Sequence, residues 1–429
     1  MNGKIIGLAL ALAALPTLAQ ADTFRDVLSY TQAGNPGIKA QEEALEASRE
    51  LKWQAWAGWQ PNLTLTGSWT ASRNGAHAND LPVAKSNDHA LSGAAKLTQN
   101  VFAGFGTVNS SASASHMVSA AEHALDNYRQ TVLLSAAKMY AGVIQSEATL
   151  ALRKNNESLL RQELTSARNR FRVGQITRTD VSQSEARLSG ATSQRIGAQG
   201  DLESAQAGFV QVVGRMPEGT LAAVPSFADR LPKTLAEAVA AAEQASPALK
   251  AAQETAAGAN SKANATMGGL LPSVDAYVQA GKGIDPTTIN DDESHYAAAG
   301  LQASWSLYDS GTTLSKTRQD KRTANQRRME LDDARRKAVA EATSAWAGWT
   351  AAKAKIKSIQ DQISAAQLAA SGVKREATAG ARTTLDVLNA EQELLDARVS
   401  LVVAQRDEAV AALTLMAAIG KLNLKALGF

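Results

Sequence analysis

The chain has 429 residues, 44 Lys plus Arg against 41 Asp plus Glu, 45% hydrophobic residues, five His and no Cys. Without Cys it has no disulfide framework, thiolate metal centre, cysteine nucleophile or lipoprotein-type anchor. Its near-balanced charge is not that of a nucleic-acid binder, and so few His leave little room for a metalloenzyme. Roughly a fifth of the residues are Ala, which loses no side-chain entropy in a helix, so much of the chain reads as helix despite a mean hydropathy of −0.20.

Residues 1–21 read as a secretory signal peptide. Lys4 precedes the apolar run Ile5 to Leu15, Pro16 breaks it, and Ala19-Gln20-Ala21 fits a small-x-small cleavage site. The rest reads as a tandem repeat: 22–213, a linker 214–233 with three Pro, and 234–429. Asn35-Pro36-Gly37-Ile38-Lys39-Ala40 matches Ser246-Pro247-Ala248-Leu249-Lys250-Ala251 at an offset of 211. Gly174 matches Gly380, and Thr179-Asp180-Val181 matches Leu385-Asp386-Val387, at an offset of 206.

Each copy reads as helix, strand hairpin, very long helix and return helix. In the first, a helix from Thr23 to Trp59 stops at Pro61. Strands follow at 63–71 and 90–102, flanking a polar loop from Asn74 to Asp88. A Pro-free helix spans 107–172, Gly174 ends it, and a return helix spans 178–213. The second copy has strands at 274–280 and 297–307, a long helix at 312–379, Gly380, and a return helix at 383–419. The two short helices laid end to end match the long one, which suggests an antiparallel assembly with all strands at one end and both Gly turns at the other.

The strands alternate apolar with polar, and at ~10–12 residues suit a tilted crossing of a ~25 Å apolar band. Four strands cannot close a barrel alone, and open edges are untenable in hydrocarbon. Several chains would share one barrel in the outer membrane, continued by a helical tunnel. The alternative is a soluble periplasmic coiled-coil scaffold or adaptor.

Gly380-Ala381-Arg382-Thr383-Thr384-Leu385-Asp386-Val387-Leu388-Asn389-Ala390, its sister Gly174-Gln175-Ile176-Thr177-Arg178-Thr179-Asp180-Val181, Leu271-Pro272-Ser273-Val274 and Ser306-Leu307-Tyr308-Asp309-Ser310-Gly311 carry a resemblance to the TolC family of outer-membrane efflux and secretion channels. The resemblance spans almost the whole chain beyond residue 21. It implies a mainly α protomer with a small β part, and a homotrimer with a twelve-stranded barrel set in outer-membrane lipid. It also implies partnership with a periplasmic adaptor and, through it, an inner-membrane transporter. Arg382, Asp386 and Asn389, spaced to share a helix face, and Thr179 with Asp180 match the family's periplasmic gate. An Arg382–Asp180 contact is then expected to hold it shut, and a ring of Asp386 carboxylates to favour cations. The alternative is that all are surface charges capping helices near a turn, since Thr179 and Asp180 lie in a first helical turn, where a carboxylate is stabilised anyway. Two residues depart from the pattern: Asn389 stands where many members carry a second acid, and Ala377 where an aromatic often sits. Gly174, Gln175, Ile176 and Thr177, with Gly380, Ala381, Arg382 and Thr383, match the tips that meet the adaptor.

Trp53, Trp56, Trp59, Trp69 and Trp305, at the expected strand ends and on the helix that leads into them, read either as an aromatic girdle or as core. His77, Asp80, Asp88 and His89, and Asp291, Asp292, Glu293 and His295, read as polar loops rather than metal sites. Arg327-Arg328 and Arg335-Arg336-Lys337 form a basic stripe on the second long helix. No Ser-His-Asp neighbourhood, phosphate loop or zinc motif is present, so neither catalysis nor a cofactor is expected.

Overall fold

The computed structural model describes residues 22–74, 77–78, 81–82, 86–285 and 292–429. The expected signal peptide and about half of the first polar loop (75–76, 79–80 and 83–85) lie outside them, as do the side chains of His77, Asp80, Asp88, Asp291 and Asp292. Two units emerge. One comprises the described part of Met1–Lys39 with Tyr128–Ser246 and Val339–Phe429; the other comprises Ala40–Asn127 and Pro247–Ala338.

The expected helix 23–59 is two helices, α1 (Phe24–Gly34) and α2 (Pro36–Ala57). Pro36 disfavours helical backbone at the residue before it, and Asn35 is extended at φ −66°, ψ 121°. The Asn35 side chain then accepts from Gly37 N–H at 2.9 Å and restarts the chain as α2. Ser246-Pro247 repeats the break between α5 (Leu235–Ala245) and α6 (Pro247–Met267). The long helices α3 (Gly106–Arg172) and α7 (Thr312–Thr378) have 67 residues each. Their return helices are α4 (Arg178–Val213) and α8 (Thr384–Ala418).

In the first unit, Phe24 and Leu28 of α1 pack with Tyr140 of α3, Phe209 of α4 and Leu413 and Met416 of α8, all essentially sealed from solvent. The segment 214–233 joins this core through Leu221, Phe227 and Leu231. The Tyr140 hydroxyl donates to the Ala222 carbonyl at 2.7 Å. Burial pushes its pKa up to about 12. Asp22 takes the Arg215 guanidinium at 2.5 Å and the Glu218 N–H at 3.0 Å, which fixes the start of the described chain.

In the second unit, β1 (Asn62–Asn74), β4 (Ser86–Ala103), β5 (Ser273–Asp285) and β6 (Asp292–Ser304) form an antiparallel sheet in the order β1-β4-β5-β6. The first polar loop is not wholly irregular. It holds a two-residue hairpin, β2 (His77–Ala78) with β3 (Leu81–Pro82), and the start of β4. The last strand starts earlier than its apolar alternation, because Ser294 and Glu293 pair in register with Gly283 and Ile284. It also stops at Ser304, so Trp305 and Leu307 lie beyond it.

The register aligns Leu63, Leu97 and Val278, and sets Trp69 against Leu91. These side chains share one exposed, mostly apolar face. The other face carries Thr64, Thr66, Ser68, Lys96 and Gln279. There Lys96 sits 5.3 Å from the Tyr277 ring centre. Asn100 donates to Asp275 at 2.8 Å, beside a bulge at Val101. Gly104 turns the chain from β4 into α3 at φ 55°, and a Cβ there would strike the Gly268 carbonyl.

Trp69 lies inside β1, stacked 5.9 Å from His89, rather than at a strand end. Trp305 Nε1–H donates to the Leu270 carbonyl at 3.1 Å. No described helix is long and apolar enough to cross a membrane.

Candidate functional site

The two Gly turns are near-copies. α3 ends in a Schellman motif: Gly174 N–H donates to Phe171 O and Gln175 N–H to Arg170 O, both at 2.9 Å. At the end of α7, Gly380 N–H donates to Ala377 O at 3.1 Å and Ala381 N–H to Glu376 O at 2.9 Å. The glycines sit at φ 74° and 81°, and a Cβ on either would meet nothing. Backbone handedness, not space, requires glycine there.

Each following helix opens with a capping box whose Thr lies inside the motif read as a tip. Thr177 caps α4 and Thr383 caps α8. The Thr177 N–H and hydroxyl donate to Asp180 Oδ2 at 2.9 and 2.8 Å. The Thr383 pair donates to Asp386 Oδ2 at 3.0 and 2.8 Å. These bonds, first from the backbone N–H and then from the hydroxyl, hold both carboxyls below the usual aspartate value. Capping is thus present at both turns, with Thr177 and Thr383 as the cap residues and Asp180 and Asp386 three residues on, a Thr-x-x-Asp pattern visible in the sequence.

Arg382 does not share a helix face with Asp386 and Asn389, because α8 begins at Thr384 and Arg382 precedes its cap. The turn points its guanidinium back to Glu376 of α7, 2.9 Å away, and that bond raises its pKa. Asp180 is engaged with Thr177 in the same protomer. Thr179 is exposed in the first turn of α4, and Asn389 accepts from Arg187 Nη2 of α4 at 2.7 Å. Glu376 and Arg187 are thus partners that the spacing alone did not reveal. The former needs the Schellman reversal to bring it near, and the latter lies on another helix.

Below the tips, Leu388 packs between Leu160 of α3 and Ala191 of α4. Gln183, Arg187, Gly190, Leu385 and Gln392 line a groove of about 420 Å³ between α4 and α8. Deeper along the coiled coil, Glu157 is 8% exposed and takes Arg195 at 2.8 Å and Arg161 at 3.0 Å. Among the described residues no group of three or more His, Asp or Glu is placed to hold a metal. His295 lies beside Glu293, which pairs with Lys282 at 2.9 Å.

The pattern of the family described as outer membrane efflux protein matches residues 27–215 and 238–421. The chain is 33% identical over 395 residues to outer membrane efflux protein BepC of Brucella suis, covering 91% of this chain and 82% of that one. It is 23% identical over 426 residues to outer membrane protein TolC of Escherichia coli, covering 96% and 85%. Its fold superposes on the outer membrane protein VceC of Vibrio cholerae with a TM-score of 0.79 at 18% identity, covering 92% and 96%. The soluble-scaffold alternative falls with these matches: the chain belongs to the outer membrane efflux protein family and is an outer-membrane exit duct.

Proposed function

We propose that three copies close one barrel and one helical tunnel, and that the paired Gly turns form its gated periplasmic mouth. The open edges β1 and β6 and the apolar sheet face support closure with other copies in outer-membrane lipid. Residues 22–213 and 234–429 act as two equivalent repeats joined by 214–233.

The observation that carries the gate is the near-identity of the two capped turns. Each presents an acid, Asp180 or Asp386, at a fixed place beside an exposed tip. Threefold repetition of Asp386 makes a carboxylate ring that draws cations, with Asn389 adding no charge below it. Arg382, braced by Glu376, partly neutralises that ring and holds the mouth narrow. A periplasmic adaptor docks on Gly174 to Thr177 and Gly380 to Thr383 and over the α4–α8 groove. An inner-membrane transporter behind the adaptor supplies the energy. The duct itself performs no chemistry.

Single-channel recording in planar bilayers tests this. Arg382→Ser should raise conductance, and Asp386→Asn should lower the cation-to-anion permeability ratio. Unchanged values in both variants would remove the gate from these turns. Crosslinking from Gln175 or Ala381 in cells should capture the adaptor.

A further inference from the structure

The second unit contains the template for its own joint to the next copy. Its helices touch in the order of its strands. Ser111 of α3 reaches Ala55 O of α2 at 3.4 Å, Ser113 of α3 reaches Gly258 O of α6 at 2.9 Å, and Thr266 of α6 reaches Asp320 of α7 at 2.5 Å. Helices α2 and α7 therefore flank the row, as β1 and β6 flank the sheet. The α3–α6 seam is where the first repeat meets the second. When copies close into a ring, α7 of one meets α2 of the next, and the second repeat meets the first in the same way.

The equivalences are fixed by element starts, Gly106 with Thr312 and Pro36 with Pro247. At the α3–α6 seam, His116 Nδ1 lies 2.8 Å from Glu254 Oε2. Carried across, His116 becomes Arg322 and Glu254 becomes Glu43. The close pair Ser113 and Gly258 becomes Gln319 and Ala47, still with a small residue where the helices approach. Arg322 and Glu43 are exposed, and among the described residues neither has a partner within the protomer.

Both side chains also point the right way. On α7, Thr317 is buried and Asp320 faces α6; at about 100° per residue Arg322 lies nearly opposite. On α2, Leu45 packs on Val118 and Leu125 of α3, and Glu43 lies about 160° around the helix from it. The sheet gives a matching register. The β4–β5 pair Ala95 with Ala280 becomes Leu301 of β6 beside Trp69 of β1, apolar against apolar.

We propose that copies of this chain join along a seam in which Arg322 of one pairs with Glu43 of the next, in the place His116 and Glu254 hold within a copy. The inference rests on the oligomeric reading above and specifies its interface. Arg stays charged at any physiological pH, so the joint between copies carries a permanent positive charge.

The chain's lack of Cys makes a direct test clean. Full-length protein carrying both Gln319→Cys and Ala47→Cys, oxidised in outer membranes, should run as linked dimers and trimers on non-reducing gels and collapse with reductant. Either single variant should stay unlinked. Arg322→Glu should shorten trimer lifetime in SDS several-fold, and adding Glu43→Arg should restore it. A trimer by light scattering that neither crosslinks nor responds to the swap overturns this seam and leaves the oligomeric reading standing. A particle that stays monomeric in every detergent overturns both.

Discussion

At the level of single residues, Asp386 has two uses for one carboxylate. It accepts the Thr383 N–H and hydroxyl, so it caps α8, and it is the charge proposed for the mouth. Its folded pKa lies below the usual 3.8, so the capping contribution is full above 3.8 and is lost as pH falls through the lower folded value. Hydrogen exchange at the first turn of α8, corrected for intrinsic rate, should therefore accelerate below pH 3.8 in the native protein. In Asp386→Ala it should be fast at every pH. A first turn equally protected in both would show that the cap does not hold the helix end. Acid capture by the cap was within reach of the sequence, since Thr-Thr-Leu-Asp and Thr-Arg-Thr-Asp carry it openly. The turn of Arg382 toward Glu376 was not, because a six-residue separation reads as distant until a left-handed glycine reverses the chain.

Among the elements, the long helices were legible because uninterrupted apolar spacing and terminal glycines define them independently of their neighbours. The break at Asn35-Pro36 was hidden by the same spacing, which runs through it without a change of phase. Proline's missing N–H and its clash with the preceding residue decided the matter locally. Strand ends escaped for the opposite reason. Backbone pairing carries β6 back to Asp292, beyond the point where side chains alternate.

The packing of α3 against 214–233 combines the apolar contacts of Leu221, Phe227 and Leu231 with one hydrogen bond from the Tyr140 phenol. Tyr140→Phe removes the hydroxyl that donates to the Ala222 carbonyl and should destabilise the first unit by about 0.5–1.5 kcal/mol. The midpoint of thermal helix loss by circular dichroism should drop accordingly. A wild-type midpoint would mean the carbonyl finds another donor.

On the scale of the whole molecule, a sheet with an apolar face and two open edges has no stable home as a monomer in a bilayer. Assembly and stability are then one quantity. Thermal unfolding in detergent should shift to lower temperature on dilution, as mass action requires of a particle held together by its own copies. A midpoint independent of concentration would point to protomers that stand alone. The number of copies came from the family resemblance rather than from composition or spacing, because a single chain's sequence holds edges but not the count that closes them.

The difference between His116 and Arg322 has a consequence for timing. The two faces joined by His116 and Glu254 belong to one polypeptide, so each meets the other at the high effective concentration that a tether provides. The faces bearing Arg322 and Glu43 must find each other by diffusion in a crowded membrane, where only opposite fixed charges act before contact. The chain thus puts a permanently charged arginine where encounters are scarce, and needs none where a tether already guarantees the encounter.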